Sequence, residues 1–407
     1  MLCSFIIYFY LIKPISIIMK FDFDRVIDRT GTASVKFDGL KQYFGRTDLI
    51  PMWVADMDFR VPESVINSIR QRTEHAIFGY PLITPGFYNS IIQWIWEKHG
   101  WDIAAEWIVF TPGIVPALSM SVMVLTEPGD KVLVQSPVYP PFFSSIQDND
   151  RILVNNQLNE NNGRYTIDFN DLDARLSDGV RLMFFCNPHN PVGRVWTREE
   201  VEKVIGLCQK HNVVLISDEI HSDLIFPGYT HISAALAGKG PDNMVICMAP
   251  SKTFNLAGMA SAFLIIPDQH LREKIKKILE NLHIQYGNIF GLTALQAAYE
   301  GGAEWLDALM DYLLINRDTV IRFFNDEMPE IIPVVTEGTY LMWLDCRAMG
   351  LRDLRLKRFF IQSAGIAMNP GPAFGPGGEG FQRLNIGCPR STLLDALNRI
   401  KIAWVNR

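Results

Sequence analysis

Lys252 stands in the tetrapeptide Ser-Lys-Thr-Phe, a few residues after the short apolar run Met244–Met248. A lysine amine held in its neutral form can make an imine with a carbonyl group and can later move a proton. Most lysines are solvated surface charges, so the tetrapeptide alone is more typical of an ordinary surface position. Lys252 is therefore a candidate nucleophile and general base that needs support from other residues.

Asp218 follows the apolar run Val213–Ser217 and begins the sequence Asp-Glu-Ile-His. A carboxylate at the end of a strand can pair with a pyridinium nitrogen and keep it protonated, which makes the ring an electron sink. The same aspartate could instead cap a following helix or bind a metal ion such as Mg²⁺. Its type and position are compatible with all three roles.

Two further polar residues lie close to predicted strands. Asn190 belongs to Asn-Pro-His-Asn-Pro-Val-Gly, after the run Arg181–Cys186, and the two Asn-Pro steps favour a sharp, rigid turn. Its amide could donate to a phenolate oxygen, or the turn could bind no ligand. Arg383 lies within the run Phe381–Ile386 and could grip a carboxylate with two hydrogen bonds, or it could point outward from the strand.

The elements that would position these residues are short buried strands that alternate with helices. Gly, Pro, Asn or Asp bound each apolar run, as is typical of buried strands. The predicted strands are Lys131–Gln135, Arg181–Cys186, Val213–Ser217, Met244–Met248 and Ala262–Ile266. Helices are predicted over Thr197–Lys210 and after Pro62. The alternation predicts an α/β fold with a mostly parallel sheet, which would bind ligands at the carboxyl ends of its strands.

The pattern changes after about residue 300. The predicted elements there are a long helix Ala303–Glu327, strands Ile331–Val335, Thr339–Cys346 and Phe381–Ile386, a helix near Asp353–Ala364 and a closing helix. Thr392 and Asp395 could form a capping box for the closing helix. We therefore expect a large domain over residues 62–300, a smaller α+β domain over 301–407, and an N-terminal segment, 19–61, that joins the small domain.

Composition narrows the classes of function. The net charge of −6 gives no basic surface for nucleic acid. The six cysteines are scattered without a C-x-x-C pair, which favours free thiols in a reducing cytoplasm over disulfides or a zinc site. The apolar run Leu2–Ile12 is shorter than the roughly 18 residues of a membrane span. We expect residues 1–18 to be a non-core extension or the product of an upstream start codon, with a membrane-associating tail as the alternative.

The order of the motifs, an Asn-Pro turn, a strand-end aspartate, a Ser-Lys pair and a distal arginine, resembles the class I/II aminotransferase superfamily. The resemblance covers residues from about 20 to 407. It implies the aspartate-aminotransferase-like fold of pyridoxal-5′-phosphate (PLP) enzymes, with a mostly parallel seven-stranded sheet, helices on both sides and a smaller α+β domain. It also implies that Lys252 holds PLP as a Schiff base and that no metal takes part.

The resemblance assigns further contacts with the ring of the cofactor. Asp218 matches the partner of the pyridine nitrogen, and Asn190 matches the residue that bonds the phenolic oxygen. His221 matches a position that supports the same oxygen, where relatives often have tyrosine. Tyr139, in Pro-Val-Tyr-Pro, matches the aromatic side chain that stacks on the ring.

It also assigns contacts with the phosphate and the substrate. Gly113-Ile114-Val115 matches the loop before a helix whose backbone N–H groups hold the phosphate, and Ser251 adds a hydroxyl. Tyr80 matches a tyrosine that reaches the phosphate of the neighbouring subunit in a homodimer with shared sites. Its alternative role is a partly buried turn aromatic. Arg383 matches the arginine that holds the α-carboxylate of an amino-acid substrate.

One departure from the superfamily pattern indicates a subgroup within it. Many relatives have an arginine eight residues after the lysine, where this chain has Ala260. This absence resembles the cystathionine β-lyase-like subgroup (the MalY/PatB type), as do the stretch Pro51–Phe59, Asp28-Arg29 and Gly387–Arg390. The subgroup implies substrate-binding roles within the first of these stretches, for Trp53, Ala55 and Asp56. Plain core packing is the alternative for Trp53.

The subgroup implies α,β-elimination from L-cystathionine, L-cysteine or other S-conjugates, which gives a thiol, pyruvate and ammonia in the cytoplasm. In this reaction Lys252 is the general base and Asp218 supports the ring as electron sink. An aminotransferase, in which Lys252 returns the proton to the cofactor, uses the same residues. A regulatory protein that keeps the fold and binds a transcription factor is the non-enzymatic alternative.

Overall fold

The computed structural model describes residues 21–238 and 243–407. The expected extension over residues 1–18, and Met19 and Lys20, lie outside this range. Within the described part, no helix is both long enough and apolar enough to cross a membrane.

The larger sheet has seven strands, of which six run parallel. Their order across the sheet is Ile108–Thr111, Ala262–Ile265, Met244–Met248, Val214–Asp218, Val180–Cys186, Lys131–Val134 and Ile152–Asn155. Ala262–Ile265 is antiparallel to both of its neighbours. The mostly parallel sheet is confirmed, and all five predicted strands agree with the observed bounds within one residue at each end.

Helices cover both faces of this sheet and continue through the rest of the chain. The α-helices of the described residues are Val35–Asp38, Leu40–Phe44, Glu63–Glu74, Pro85–His99, Ile114–Leu125, Pro141–Gln147, Phe169–Ser177, Arg198–Lys210, Ala234–Ala237, Pro250–Thr253, Gln269–Asn281, Ile289–Gly301, Ala303–Glu327, Asp353–Arg358 and Arg390–Val405. Arg198–Lys210 starts where the side chains of Thr197 and Glu200 cap each other's backbone N–H groups.

A second sheet of four antiparallel strands follows the long helix. Its strands, in spatial order, are Ile332–Pro333, Leu341–Asp345, Phe381–Asn385 and Asn369–Pro370. The first is shorter than the predicted Ile331–Val335. A six-residue π-helix, Phe359–Ala364, completes the helix predicted near Asp353–Ala364.

The predicted capping box of Thr392 and Asp395 is wrong. The last helix begins at Arg390 after Pro389, so Thr392 already lies within its first turn. Proline supplies no side-chain acceptor but fixes the backbone dihedral at the entry of the helix.

The N-terminal segment attaches to the second half of the chain. Ile50–Pro51 pairs in parallel with Ile366–Ala367, and the backbone N–H of Asn385 donates to the carbonyl of Met52. One hydrophobic cluster contains buried residues of both sheets, including Phe185 and Trp343. The two sheets therefore share packing. The chain boundaries at residues 61 and 300 stay a prediction.

Candidate active site

A cavity of about 210 Å³ opens at the carboxyl ends of the parallel strands. Its walls include most of the residues that the sequence analysis singled out. These are Ala55, Gly113, Ile114, Val115, Tyr139, Asn190, Asp218, His221, Ser251 and Lys252. The position agrees with the rule that open α/β sheets bind ligands beyond the ends of their strands.

Lys252 sits in the short helix Pro250–Thr253, just beyond the strand Met244–Met248. Its Nζ donates a 2.7 Å hydrogen bond to the carbonyl of Ala55. Burial, and then the nearby charge of Arg383, lower the pKa of Lys252 to about 8, although Asp56 and Asp218 oppose the shift. The lowered pKa increases the neutral fraction of this amine near neutral pH, and the neutral form can act as a nucleophile and as a base.

Asp218 ends the strand Val214–Asp218, and 3% of its surface is exposed. It accepts a 3.2 Å hydrogen bond from the backbone N–H of Ile220. Burial raises the pKa of Asp218 to about 7, against the effects of this N–H and of Lys252. A cation placed in the cavity would hold the carboxylate charged.

Two alternatives for Asp218 find no support in the described residues. Residues 220–223 form turns, so no helix begins after Asp218, and the helix-cap alternative is wrong. In residues 21–238 and 243–407, no group of three His, Cys, Asp or Glu side chains is arranged to hold a metal ion.

Arg383 is buried and points inward, so the outward-pointing alternative is wrong. Its Nη1 donates to Asn190 Oδ1 at 2.9 Å, and its Nη2 donates to the Trp53 carbonyl at 2.9 Å and to Asn369 Oδ1 at 2.8 Å. Burial lowers the pKa of Arg383 to about 10. These three partners are neutral, and Nε has none among the described residues, so the guanidinium can still bind a carboxylate.

One end of the cavity is suited to an anion. The helix Ile114–Leu125 begins there after Gly113, and its first N–H groups and its dipole favour negative charge. Ser261 lines the same cavity, and its buried Oγ has no partner among the described residues. Sequence reasoning missed Ser261, since a serine before a strand carries no distinctive signal.

His221 and Tyr139 line the same cavity as Asp218 and Asn190. The buried Nδ1 of His221 has no partner within the described chain. Burial, followed by the charges of Lys252 and Arg383, holds the pKa of His221 well below its usual value, so its imidazole is neutral. A neutral imidazole can donate from one nitrogen to a ligand oxygen.

The stretch around Ala55 is held by side chains from three distant parts of the chain. Tyr340 Oη donates to the Ala55 carbonyl at 2.9 Å, beside Lys252. Asn385 donates to the carbonyls of Val54 and Asp56. Sequence reasoning missed both residues, although Asn385 lies two positions from Arg383 and thus on the same face of the strand.

Trp53 and Asp56 are not among the residues that line the cavity. The Trp53 indole donates to the Lys36 carbonyl and packs against Phe44, which is the core-packing alternative. Asp56 is bound through both of its oxygens by Arg29. Their roles in substrate binding stay predictions.

Tyr80 lies in the loop between the helices Glu63–Glu74 and Pro85–His99, and its side chain is fully exposed. The partly buried alternative is therefore wrong. Tyr80 does not line the cavity of its own chain.

Comparisons with known proteins agree with this geometry. The profile of the family "Aminotransferase class I and II" matches residues 47–400. The chain is 45% identical to cystathionine beta-lyase PatB of Bacillus subtilis, over 94% of this chain and 99% of that protein. It is 34% identical to protein MalY of Escherichia coli, over 92% and 96% of the two chains.

A solved structure also matches the fold. Cystalysin of Treponema denticola, which contains a pyridoxal 5′-phosphate cofactor, superposes with a TM-score of 0.93 and 35% sequence identity. The match covers 95% of this chain and 100% of cystalysin.

Proposed function

Because the chain belongs to the class I and II aminotransferase family, we propose that it is a PLP-dependent carbon–sulfur β-lyase. The substrate would be L-cystathionine, L-cysteine or another S-conjugate, and the products a thiol, pyruvate and ammonia. The observation that carries the proposal is one cavity in which Lys252 and Asp218 meet, in a chain 45% identical to a cystathionine β-lyase.

The residues around the cavity fit PLP. The unpartnered Oγ of Ser261 and the helix start at Gly113-Ile114-Val115 suit a phosphate. Asp218 would bind the pyridine nitrogen. Because Arg383 donates to Oδ1 of Asn190, the amide nitrogen of Asn190 remains as a donor for the phenolic oxygen.

Four further contacts complete the proposed cofactor site. His221, with its free Nδ1, would donate to the phenolic oxygen beside Asn190. Tyr139 would cover the face of the ring, and Ser251 would add a hydroxyl to the phosphate. Lys252 would bind the aldehyde carbon.

The chain's own residues would divide the chemistry among themselves. When bound, PLP supplies the electron sink for charge that develops at the substrate Cα. Arg383 would hold the α-carboxylate, and Asp218 would keep the pyridine nitrogen protonated. Lys252, once displaced by the substrate amine, would take the Cα proton. The C–S bond would then break, with its electron pair leaving on sulfur, which takes up a proton to give the thiol. The aminoacrylate product would take up water to give pyruvate and ammonia.

Elimination is favoured over transamination by Ala260, by the resemblance of residues 51–59 and by the named activity of PatB. The test is to incubate the purified protein with L-cystathionine and no keto acid, and to measure pyruvate and ammonia. Lys252→Ala protein serves as the control for background decay. Strict dependence of turnover on a keto-acid acceptor would assign the chain to the aminotransferases instead.

The proposal includes a homodimer with shared active sites. Tyr80 is fully exposed, and Ile77, Phe78 and Leu82 of the same loop are also exposed. Several large exposed apolar side chains in one loop are typical of an interface, and two-fold dimers are the commonest soluble assemblies. Light scattering would give the mass, and a monomer would contradict this part of the proposal.

The proposal also includes the division of the chain into a large domain, 62–300, and a small domain, 301–407, to which the N-terminal segment attaches. A cytoplasmic location belongs to the same proposal. It is supported by Cys186, Cys208, Cys247, Cys346 and Cys388, which are buried and form no disulfide.

A further inference from the structure

The sheet does not by itself fix Lys252 relative to Asp218. The two neighbouring strands pair as far as Asp218 opposite Cys247, and one further backbone bond joins Glu219 to Cys247. Lys252 lies five residues beyond this last rung, in a separate turn. Contacts outside the sheet therefore set the distance between the two turns.

Asp223 supplies such a contact. It lies in the turn after Asp218, and its Oδ2 accepts a 2.7 Å hydrogen bond from Oγ1 of Thr253, the neighbour of Lys252. Both side chains are buried. One buried hydrogen bond thus joins the Asp218 turn to the Lys252 turn, and neither of its residues lines the cavity.

Asp223 is itself oriented by the helix Pro85–His99. His99 Nε2 lies 2.9 Å from Asp223 Oδ1, and Trp94 Nε1 donates to both carboxylate oxygens at 3.2 and 3.3 Å. These partners keep the pKa of Asp223 low despite its burial, and Asp223 raises the pKa of His99. Since His99 is the last residue of its helix, the helix dipole also favours its protonated form.

A buried ion pair of this kind is a poor source of stability, because desolvation offsets most of the attraction between the charges. A buried ion pair is better explained by a role in fixing the relative positions of the segments that it joins. Under the proposed function, Asp218 and Lys252 bind opposite sides of one rigid ring. Their spacing must therefore hold to within roughly 0.5 Å.

We propose that Asp223, oriented by His99 and Trp94, is a positioning residue that locks the turn of Lys252 to the turn of Asp218 through the hydroxyl of Thr253. This inference rests on the proposed function, because it assumes that both turns bind the same cofactor.

The test compares two substitutions of Thr253. Thr253→Val keeps the shape and removes the hydroxyl, whereas Thr253→Ser keeps the hydroxyl and removes the methyl group. The affinity of the cofactor-free protein for pyridoxal 5′-phosphate is measured by absorbance titration, together with its Tm and the elimination kcat. The valine variant should bind PLP up to about tenfold more weakly, because binding must then align two turns that a hydrogen bond to a charged group aligns in the wild type. The serine variant should stay within about twofold of the wild type.

Ser217→Ala is the matched control. Ser217 also donates a buried hydrogen bond to a carboxylate, Glu219 Oε1 at 2.9 Å, but this bond lies within one strand end and joins no second turn. Its loss should lower Tm without changing PLP affinity. If PLP affinity falls as much in Ser217→Ala as in Thr253→Val, the effect is general destabilisation, and the proposed positioning role of Asp223 is wrong.

The proposed role of Asp223 would also be wrong if Thr253→Val left PLP affinity unchanged, or if the valine and serine variants lost equal PLP affinity. If Thr253→Val does not fold, His99→Gln and His99→Ala replace it. The glutamine amide can donate as Nε2 of His99 does, so His99→Gln should preserve PLP affinity, whereas His99→Ala should lower it. Equal PLP affinities of the two variants would contradict the proposed role of Asp223. A wild type that binds PLP but releases no pyruvate would contradict the proposed lyase activity and leave this comparison intact.

Discussion

The two parts of the proposed cofactor site are built in different ways. The strand-end part is named for Asn190, Asp218 and Lys252, which lie at or beyond the ends of strands of the larger sheet, and it includes Arg383 of the second sheet. It lies largely buried within one chain and is fixed by hydrogen bonds to its own backbone and amides. The loop part, residues 75–84 with Tyr80, is exposed and does not line the cavity of its own chain. The first part is complete in a single chain, whereas the second is proposed to need a neighbour.

The difference is also electrostatic. Burial lowers the pKa of Lys252 and raises that of Asp218, so each charged form is costly in the strand-end part. Tyr80, by contrast, is fully exposed. Changes in the strand-end part should therefore alter chemistry and stability together, and changes in the loop part should alter cofactor binding alone.

Lys252→Ala should have the largest effect. Loss of both the cofactor anchor and the general base should lower pyruvate release from L-cystathionine by at least about 10³-fold. In the wild type, borohydride should abolish the visible absorbance and leave a labelled Lys252 peptide by mass spectrometry. The exposed Lys210→Ala is the control. A Lys252→Ala protein with wild-type turnover would remove this residue from the site.

Asp218→Asn should lower elimination by about a hundredfold, the range found for groups that stabilise developing charge. It should also stabilise the cofactor-free protein. Because burial raises the pKa of Asp218, ionising this carboxyl group lowers the free energy of unfolding. The loss is absent below pH 4, grows between pH 4 and pH 7, and is complete above pH 7.

At pH 8 the gain in the free energy of unfolding is at most about 4 kcal/mol, since one pKa unit corresponds to about 1.4 kcal/mol. At pH 4 the gain should vanish, which makes the same variant its own control. Chemical denaturation at the two pH values would measure it. Equal free energies of unfolding of Asp218→Asn and the wild type at pH 8 would show that burial imposes no cost on the charged form of this carboxyl group.

The strand-end part could be predicted because its signals are local. Met244–Met248 and Ala303–Glu327 have their predicted bounds, since a continuous apolar run and a long amphipathic pattern depend little on distant residues. A strand predicted at Ile331–Val335 has only two paired residues, because it is the edge of its sheet and includes Pro333.

The contacts between distant segments could not be predicted. Tyr340 and Asn385 hold the backbone around Ala55, and Asp223 meets Thr253 across two turns. Neither the type nor the spacing of these residues indicates a partner, because each partner is brought near by the tertiary fold. Reactive residues are therefore easier to predict from the sequence than the residues that position them.

Arg383→Lys tests whether the strand-end part also binds the substrate. An ammonium cannot make the two-pronged contact of a guanidinium with a carboxylate, so KM for L-cystathionine should rise about 30-fold with a smaller change in kcat. Steady-state kinetics would separate the two constants. PLP affinity is measured alongside, because Arg383 also donates to Oδ1 of Asn190 and a fall in affinity would report the loss of that contact. An unchanged KM would place the α-carboxylate elsewhere.

The smallest effect is expected in the loop part. Tyr80→Phe removes one exposed hydroxyl, so Tm of the cofactor-free protein should not change, but PLP affinity should fall about tenfold through loss of a hydrogen bond to a charged phosphate. Tyr229→Phe, a second exposed tyrosine, is the control and should leave the affinity unchanged. A drop in both affinity and Tm would indicate that Tyr80 acts within its own chain.

Mixed dimers would show whether Tyr80 acts across the interface. In a hybrid of a Lys252→Ala chain and a Tyr80→Phe chain, one shared site has both changes and the other has neither. The hybrid should therefore bind PLP at its intact site with wild-type affinity, although neither parent does so. Sites confined to single chains would give each site of the hybrid the defect of its own chain. Absence of wild-type binding after proven subunit exchange would show that the loop part and the strand-end part belong to the same chain.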